Sequence, residues 1–79
     1  MSQYPRYTMV IRWSDDEDAY LVSLPDWEGR VSNPVTHGNS YEDAVRAGVE
    51  AITAFVESSI RHGEPLPSPG RTNEGMSAA

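Results

Sequence analysis

The chain has 79 residues, with twelve acids against six arginines, no lysine and no cysteine, for a formal charge of −6. That length bounds it to one small domain, and the missing cysteines exclude disulfide staples and thiolate metal centres. The charge balance disfavours nucleic acid, whose phosphates are neutralised by lysine and arginine, and suits a basic protein partner.

From Arg6 to Trp13 the residues alternate. Tyr7, Met9, Ile11 and Trp13 share one face, with Arg6, Thr8, Val10 and Arg12 on the other, which predicts a half-buried strand. Ser14 to Asp18 interrupts it with turn formers and dense charge. Ala19 to Leu24 then resumes the alternation, with Tyr20, Val22 and Leu24 on one face. Together these predict an antiparallel hairpin with a solvated acidic tip. Pro25 ends the second strand because it donates no ladder hydrogen bond. The turn from Asp26 to Gly29 carries Trp27, which either plugs the end of the core or stands out as an anchor for another chain. Arg30 to His37 is a weaker strand, interrupted at Asn33-Pro34.

The longest periodic segment runs from Asn39 to Gly63. At about 100° per residue, Tyr41, Val45, Gly48, Val49, Ile52, Phe55, Val56 and Ser59 fall in one sector. Asp43, Arg46, Glu50, Glu57 and Arg61 fall opposite. Ser40 reads as the N-cap, His62-Gly63 as the stop, and Gly48 as a place where the helix approaches its neighbour closely. The pairs Glu42–Arg46, Arg46–Glu50 and Glu57–Arg61 are four residues apart and read as solvation. After Gly63, proline, glycine and small polar residues dominate. Glu64 to Pro69 is expected to lie extended against the body, and 68–79 to be a disordered tail. The expected domain is 6–67.

The order strand, strand, strand, helix predicts an α+β fold: a three-stranded antiparallel sheet covered on one face by a single long helix. A core this small calls for help, so a homo-oligomer, dimer or tetramer, is expected. Its contact is either an exposed sheet edge or the outer sheet face around Val10 and Leu21.

Catalytic patterns are missing. Asp15-Asp16-Glu17-Asp18 lacks the central glycine and closing glutamate of a calcium loop. His37 and His62 flank the helix, about 35 Å apart by its rise, and cannot share a metal. No serine has a glycine-framed elbow, and without lysine there is no phosphate cradle. No metal or cofactor is expected, and no enzyme activity. Two other readings remain open: a degenerate metal-dependent nuclease built on Asp26, Glu28 and His37, and a nucleic-acid binder using Arg6, Arg12 and Arg30. No apolar run approaches the roughly 20 residues of a membrane span, and the first residues lack a signal-peptide core, so a soluble cytoplasmic protein is expected.

Tyr7 to Trp13, an acidic turn, Tyr20-Leu-Val-Ser-Leu-Pro25, Gly29, Thr36-His-Gly38 and Ser40-Tyr-Glu-Asp-Ala44 together resemble the HicB-like antitoxin domain. The resemblance covers about residues 6 to 67 and extends to Gly63-Glu-Pro-Leu-Pro67. It rests on Tyr20, Pro25, Gly29, His37, Gly38, Ser40, Glu42 and Ala44. It implies a truncated ribonuclease-H-like fold that lacks the catalytic carboxylates. It also implies a role in silencing a small basic HicA toxin, an mRNA interferase, by steric occlusion. The expected contacts are Asp15, Asp16, Glu17, Asp18, Asp26, Trp27 and Glu28. Asn39-Ser40 replaces the family's usual Asp-Thr, Arg30 stands where a cysteine or small residue is frequent, and Asn33-Pro34 lies in a short insertion. Full-length members carry a C-terminal DNA-binding domain. Here a Pro/Gly tail follows, so direct operator binding is not expected, and a stand-alone homo-oligomeric binding protein with a non-toxin partner is the alternative reading.

Overall fold

The computed structural model describes residues 6–69. The expected tail from residue 70 onward lies outside the described residues. The elements are β1 (Val10–Ser14), β2 (Ala19–Ser23), a 3-10 turn (Pro25–Trp27), β3 (Thr36–Gly38) and α1 (Tyr41–Arg61). The three strands form one antiparallel sheet in the order β1-β2-β3, and the helix lies on one face, as the alternation and the helical period require.

The hairpin register places Ile11 opposite Val22 and Trp13 opposite Tyr20 on the inner face, with Arg12 opposite Leu21 on the outer face. Its tip is tighter than five residues: Ser14 remains in β1, and Asp15 to Asp18 make the turn. Asp18 has a φ of 55°, a left-handed conformation that aspartate tolerates better than most residues. The third strand is shorter than its sequence suggests. Only Thr36–Gly38 forms strand against β2, after turns at Gly29-Arg30 and Asn33-Pro34, although the Val35 backbone N–H also donates to the Val22 carbonyl at 2.8 Å. Asn33 does part of a strand's work with its side chain. Its Oδ1 accepts from the Leu24 backbone N–H at 2.8 Å, and its Nδ2 donates to the Leu24 carbonyl at 3.2 Å.

Helix α1 begins as expected. The Ser40 hydroxyl accepts from the Asp43 backbone N–H at 3.1 Å, satisfying one of the orphan donors of the first turn. It ends at His62, with Gly63 at a φ of +69°. On the outer face, Arg46 pairs with Asp43 three residues back at 3.0 Å, not with Glu42 or Glu50 at the expected spacing of four.

The helix sits at a different roll from the one its apolar residues suggest. Ala44, Gly48, Val56 and Ser59 are the buried positions, whereas Tyr41, Val45 and Val49 are exposed. Small residues decide this. A β-carbon on Gly48 would lie 2.7 Å from the Met9 sulfur and 3.1 Å from Val22, so the sheet meets the helix at its thinnest line. The helix therefore lies over β3 and β2 and touches β1 least.

The other end of the core is built on Trp27, with Leu24 and Val56 fully buried beside it. Tyr7 meets Trp27 edge-on at 5.3 Å between ring centroids, and Phe55 lies 5.5 Å away. The segment after the helix closes this end. Leu66 packs on the core cluster, and the Tyr7 hydroxyl donates to the Pro67 carbonyl at 2.8 Å. Burial, reinforced by the Asp26 carboxylate, pushes the Tyr7 phenol above its ordinary pKa.

Candidate functional site

The hairpin tip carries Asp15, Asp16, Glu17 and Asp18, all exposed. Two local bonds shape it. The Ser14 hydroxyl accepts from the Glu17 backbone N–H at 3.2 Å, and the Trp13 indole N–H donates to an Asp15 carboxylate oxygen. Trp13 in turn meets Tyr20 edge-on at 5.0 Å, and Tyr20 meets Tyr41 at 4.4 Å. Three aromatic rings thus run from the foot of the acidic tip to the first turn of α1. That turn adds Glu42 and Asp43, where acids complement the positive end of the helix dipole. The tip and the helix start therefore form one acidic end of the molecule, with aromatic surface between them.

This surface is open. Trp13 is 45% exposed, Tyr41 63%, and Val45 and Val49 about half, which is unusual for side chains of this size on a small domain. A shallow depression beside them is lined by Tyr41, Glu42, Val45 and Arg46.

The structure divides the residues expected at a partner contact. Asp15 to Asp18 stand together at the tip, and Glu28 is exposed, with its Oε1 accepting from the Asn33 amide at 3.1 Å. Trp27 is taken into the core at 2% exposure and offers no anchor to another chain. Arg30 lies over its ring at 5.2 Å, and Arg30 also pairs with Glu64 at 3.6 Å. Of its two alternatives, Trp27 takes the plug, because the 3-10 turn after β2 points it under the helix against Tyr7 and Phe55. Asp26 is half-buried, and one oxygen accepts from the Thr8 backbone N–H at 2.8 Å, tying the start of the chain to the turn. Asp26 Oδ1 and Trp27 Nε1 are buried with no hydrogen-bond partner among the described residues.

The motif residues have mostly structural work. Tyr20 is the middle ring of the aromatic series, Pro25 opens the 3-10 turn, and Gly29 has a φ of +88°. Gly38 and Ala44 are buried against each other, Ser40 caps the helix, and Glu42 is exposed on its first turn. His37 is exposed on the outer sheet face, opposite Leu21.

The two alternative sites do not assemble. Asp26 and Glu28 are held by Thr8 and Asn33, and among the described residues no three His, Asp or Glu gather where a metal could be held. Arg30 is turned onto Trp27, away from Arg12 on the outer face. No helix of the described residues is long and apolar enough to cross a membrane.

Sequence reasoning missed Trp13 as the exposed tryptophan. Its position at the end of the first strand, beside the acidic turn, was the available signal. A family model described as the HicB-like antitoxin of bacterial toxin–antitoxin systems matches residues 7–78. Neither a curated protein nor a solved structure matches the chain.

Proposed function

This chain belongs to the HicB-like antitoxin family, and on that premise we propose that it neutralises a small basic HicA-type mRNA interferase by covering the toxin's RNA-binding or catalytic face. The observation that carries this reading is the acidic end of the molecule. Four exposed carboxylates project from one hairpin tip, and two more stand on the first helical turn beside it. A toxin that binds RNA displays arginine and lysine to phosphate, and a carboxylate cluster competes for those same groups. Complementary charge speeds the encounter, and occlusion needs no chemistry from the antitoxin.

The experiment is co-expression with any small basic protein encoded next to this chain, followed by titration of the purified pair at two salt concentrations. A complex that forms, weakens with salt and restores growth in toxin-arrested cells supports the reading. Failure to bind, with growth still arrested, overturns it.

A further inference from the structure

We propose that the exposed aromatic and apolar strip beside the acidic tip seats an arginine, with an apolar neighbour, from the basic partner. This rests on the toxin reading for the partner's identity and separates two tasks: the tip attracts, and the strip holds.

The strip is built before any partner arrives. Tyr41, Val45 and Val49 recur every fourth residue, so their exposed sides share one face of α1. Trp13 stands on β1, and Tyr20 touches both its ring and that of Tyr41. The two exposed rings are thus braced by a third, and little side-chain freedom is left to lose on binding. Asp15 accepts from the Trp13 indole N–H, which fixes the ring and sets a carboxylate at its edge.

The charges around the strip say what it takes. Arg46, the one base lining the depression at Tyr41 and Val45, is already paired with Asp43 at 3.0 Å. Glu42, on the same lining, has no ion-pair partner among the described residues. Exposed ring faces beside uncompensated carboxylates suit a cation that also stacks. Arginine does both: its planar guanidinium lies over an aromatic ring while its fork donates to a carboxylate. Nucleic-acid bases also stack on such rings, but their phosphates would meet Asp15 and Glu42. Val45 and Val49 are left for an apolar side chain next to the arginine. Salt screens the tip carboxylates and slows encounter, whereas the apolar seat is held with little dependence on salt.

The test has two arms. In the first, the full chain alone is titrated with acetyl-Leu-Arg-Leu-amide and followed by nuclear magnetic resonance. The two tryptophans give two indole signals, and buried Trp27 serves as the internal reference. The peptide is expected to shift Trp13 and the amides of Tyr41 and Val45, leaving Trp27 in place. Its lysine counterpart should bind at least about threefold more weakly, and its glutamine counterpart more weakly still. In the second arm, Tyr41→Ala and Val45→Ser are each expected to speed dissociation of the purified toxin complex about tenfold or more. Amides in place of the four tip acids should slow association and leave dissociation within about twofold. Circular dichroism confirms that each variant is folded. Peptide binding at the strip with no toxin complex overturns the toxin reading and supports the seat. A toxin complex that dissociates at the parent rate in both folded strip variants overturns the seat and leaves the toxin reading standing. Equal shifts from the arginine, lysine and glutamine peptides overturn the seat as well. So does a single-stranded oligouridylate that moves the Trp13 signal at lower concentration than the arginine peptide.

Discussion

Gly38 and Ala44 meet backbone to backbone: a β-carbon on Gly38 would lie 2.4 Å from the Ala44 amide nitrogen and 2.7 Å from its α-carbon. The last residue of β3 and the first turn of α1 are thus in contact with no side chain between them. This gives the Gly38…Ala44 part of the family motif a physical meaning. The glycine is required for proximity, and the alanine is fully buried there.

Replacing Gly38 is therefore expected to be costly. No flexible side-chain end can move away, because the obstructing atoms are backbone. Gly38→Ala should lose at least about 2–3 kcal/mol by overpacking. Gly48→Ala makes an informative contrast. Its added carbon meets the mobile end of Met9 and also gains helix propensity, so its net change should stay within about 1 kcal/mol. Urea unfolding of the two variants checks both.

The N-cap gives a second expectation. Ser40→Ala removes the acceptor for the Asp43 N–H and should cost about 1 kcal/mol, whereas Ser40→Asp should retain most of the stability. Thermal melts of both variants against the parent would show the difference.

Tyr7 should make stability fall at alkaline pH. Its folded pKa lies above the unfolded value because burial disfavours the phenolate, with Asp26 adding to the effect. The corresponding stability is complete below the unfolded value of about 10 and is lost as pH rises through the folded pKa. Tyr7→Phe also loses the bond to the Pro67 carbonyl, about 1 kcal/mol at neutral pH. The gap between parent and variant should therefore narrow on going to high pH. Melts at neutral pH and at pH values around and above the phenol titration test this.

Trp27 and the acidic tip should separate stability from binding. Trp27→Ala empties the core beside Leu24 and Val56 and should cost about 3–5 kcal/mol. Neutralising Asp15, Asp16, Glu17 and Asp18 with their amides touches only exposed side chains. It should leave the melting temperature within a few degrees while weakening association with a basic toxin. Calorimetric titration and melting of the same variants distinguish the two effects.

Much of this molecule is set by local sequence rules. Period-two alternation fixes the hairpin and its inner face, Ser40 and Gly63 fix the helix ends, and Pro25 ends β2. Each signal acts within a few residues, so it survives without knowledge of the rest of the chain. The spacing from Tyr7 to Pro67 likewise carries the family resemblance that the family match bears out.

Tertiary contact decided the roll of the helix and the fates of the two tryptophans. A helical wheel ranks Val45 and Val49 as core because it counts apolar bulk, but the sheet chose the line of closest approach, where Ala44 and Gly48 are thin. That choice uncovered β1. Trp27 is in a polar turn and Trp13 is in an apolar strand, yet the first is buried and the second exposed. The turn directs its ring under the helix, and the strand lies at the edge that the helix touches least.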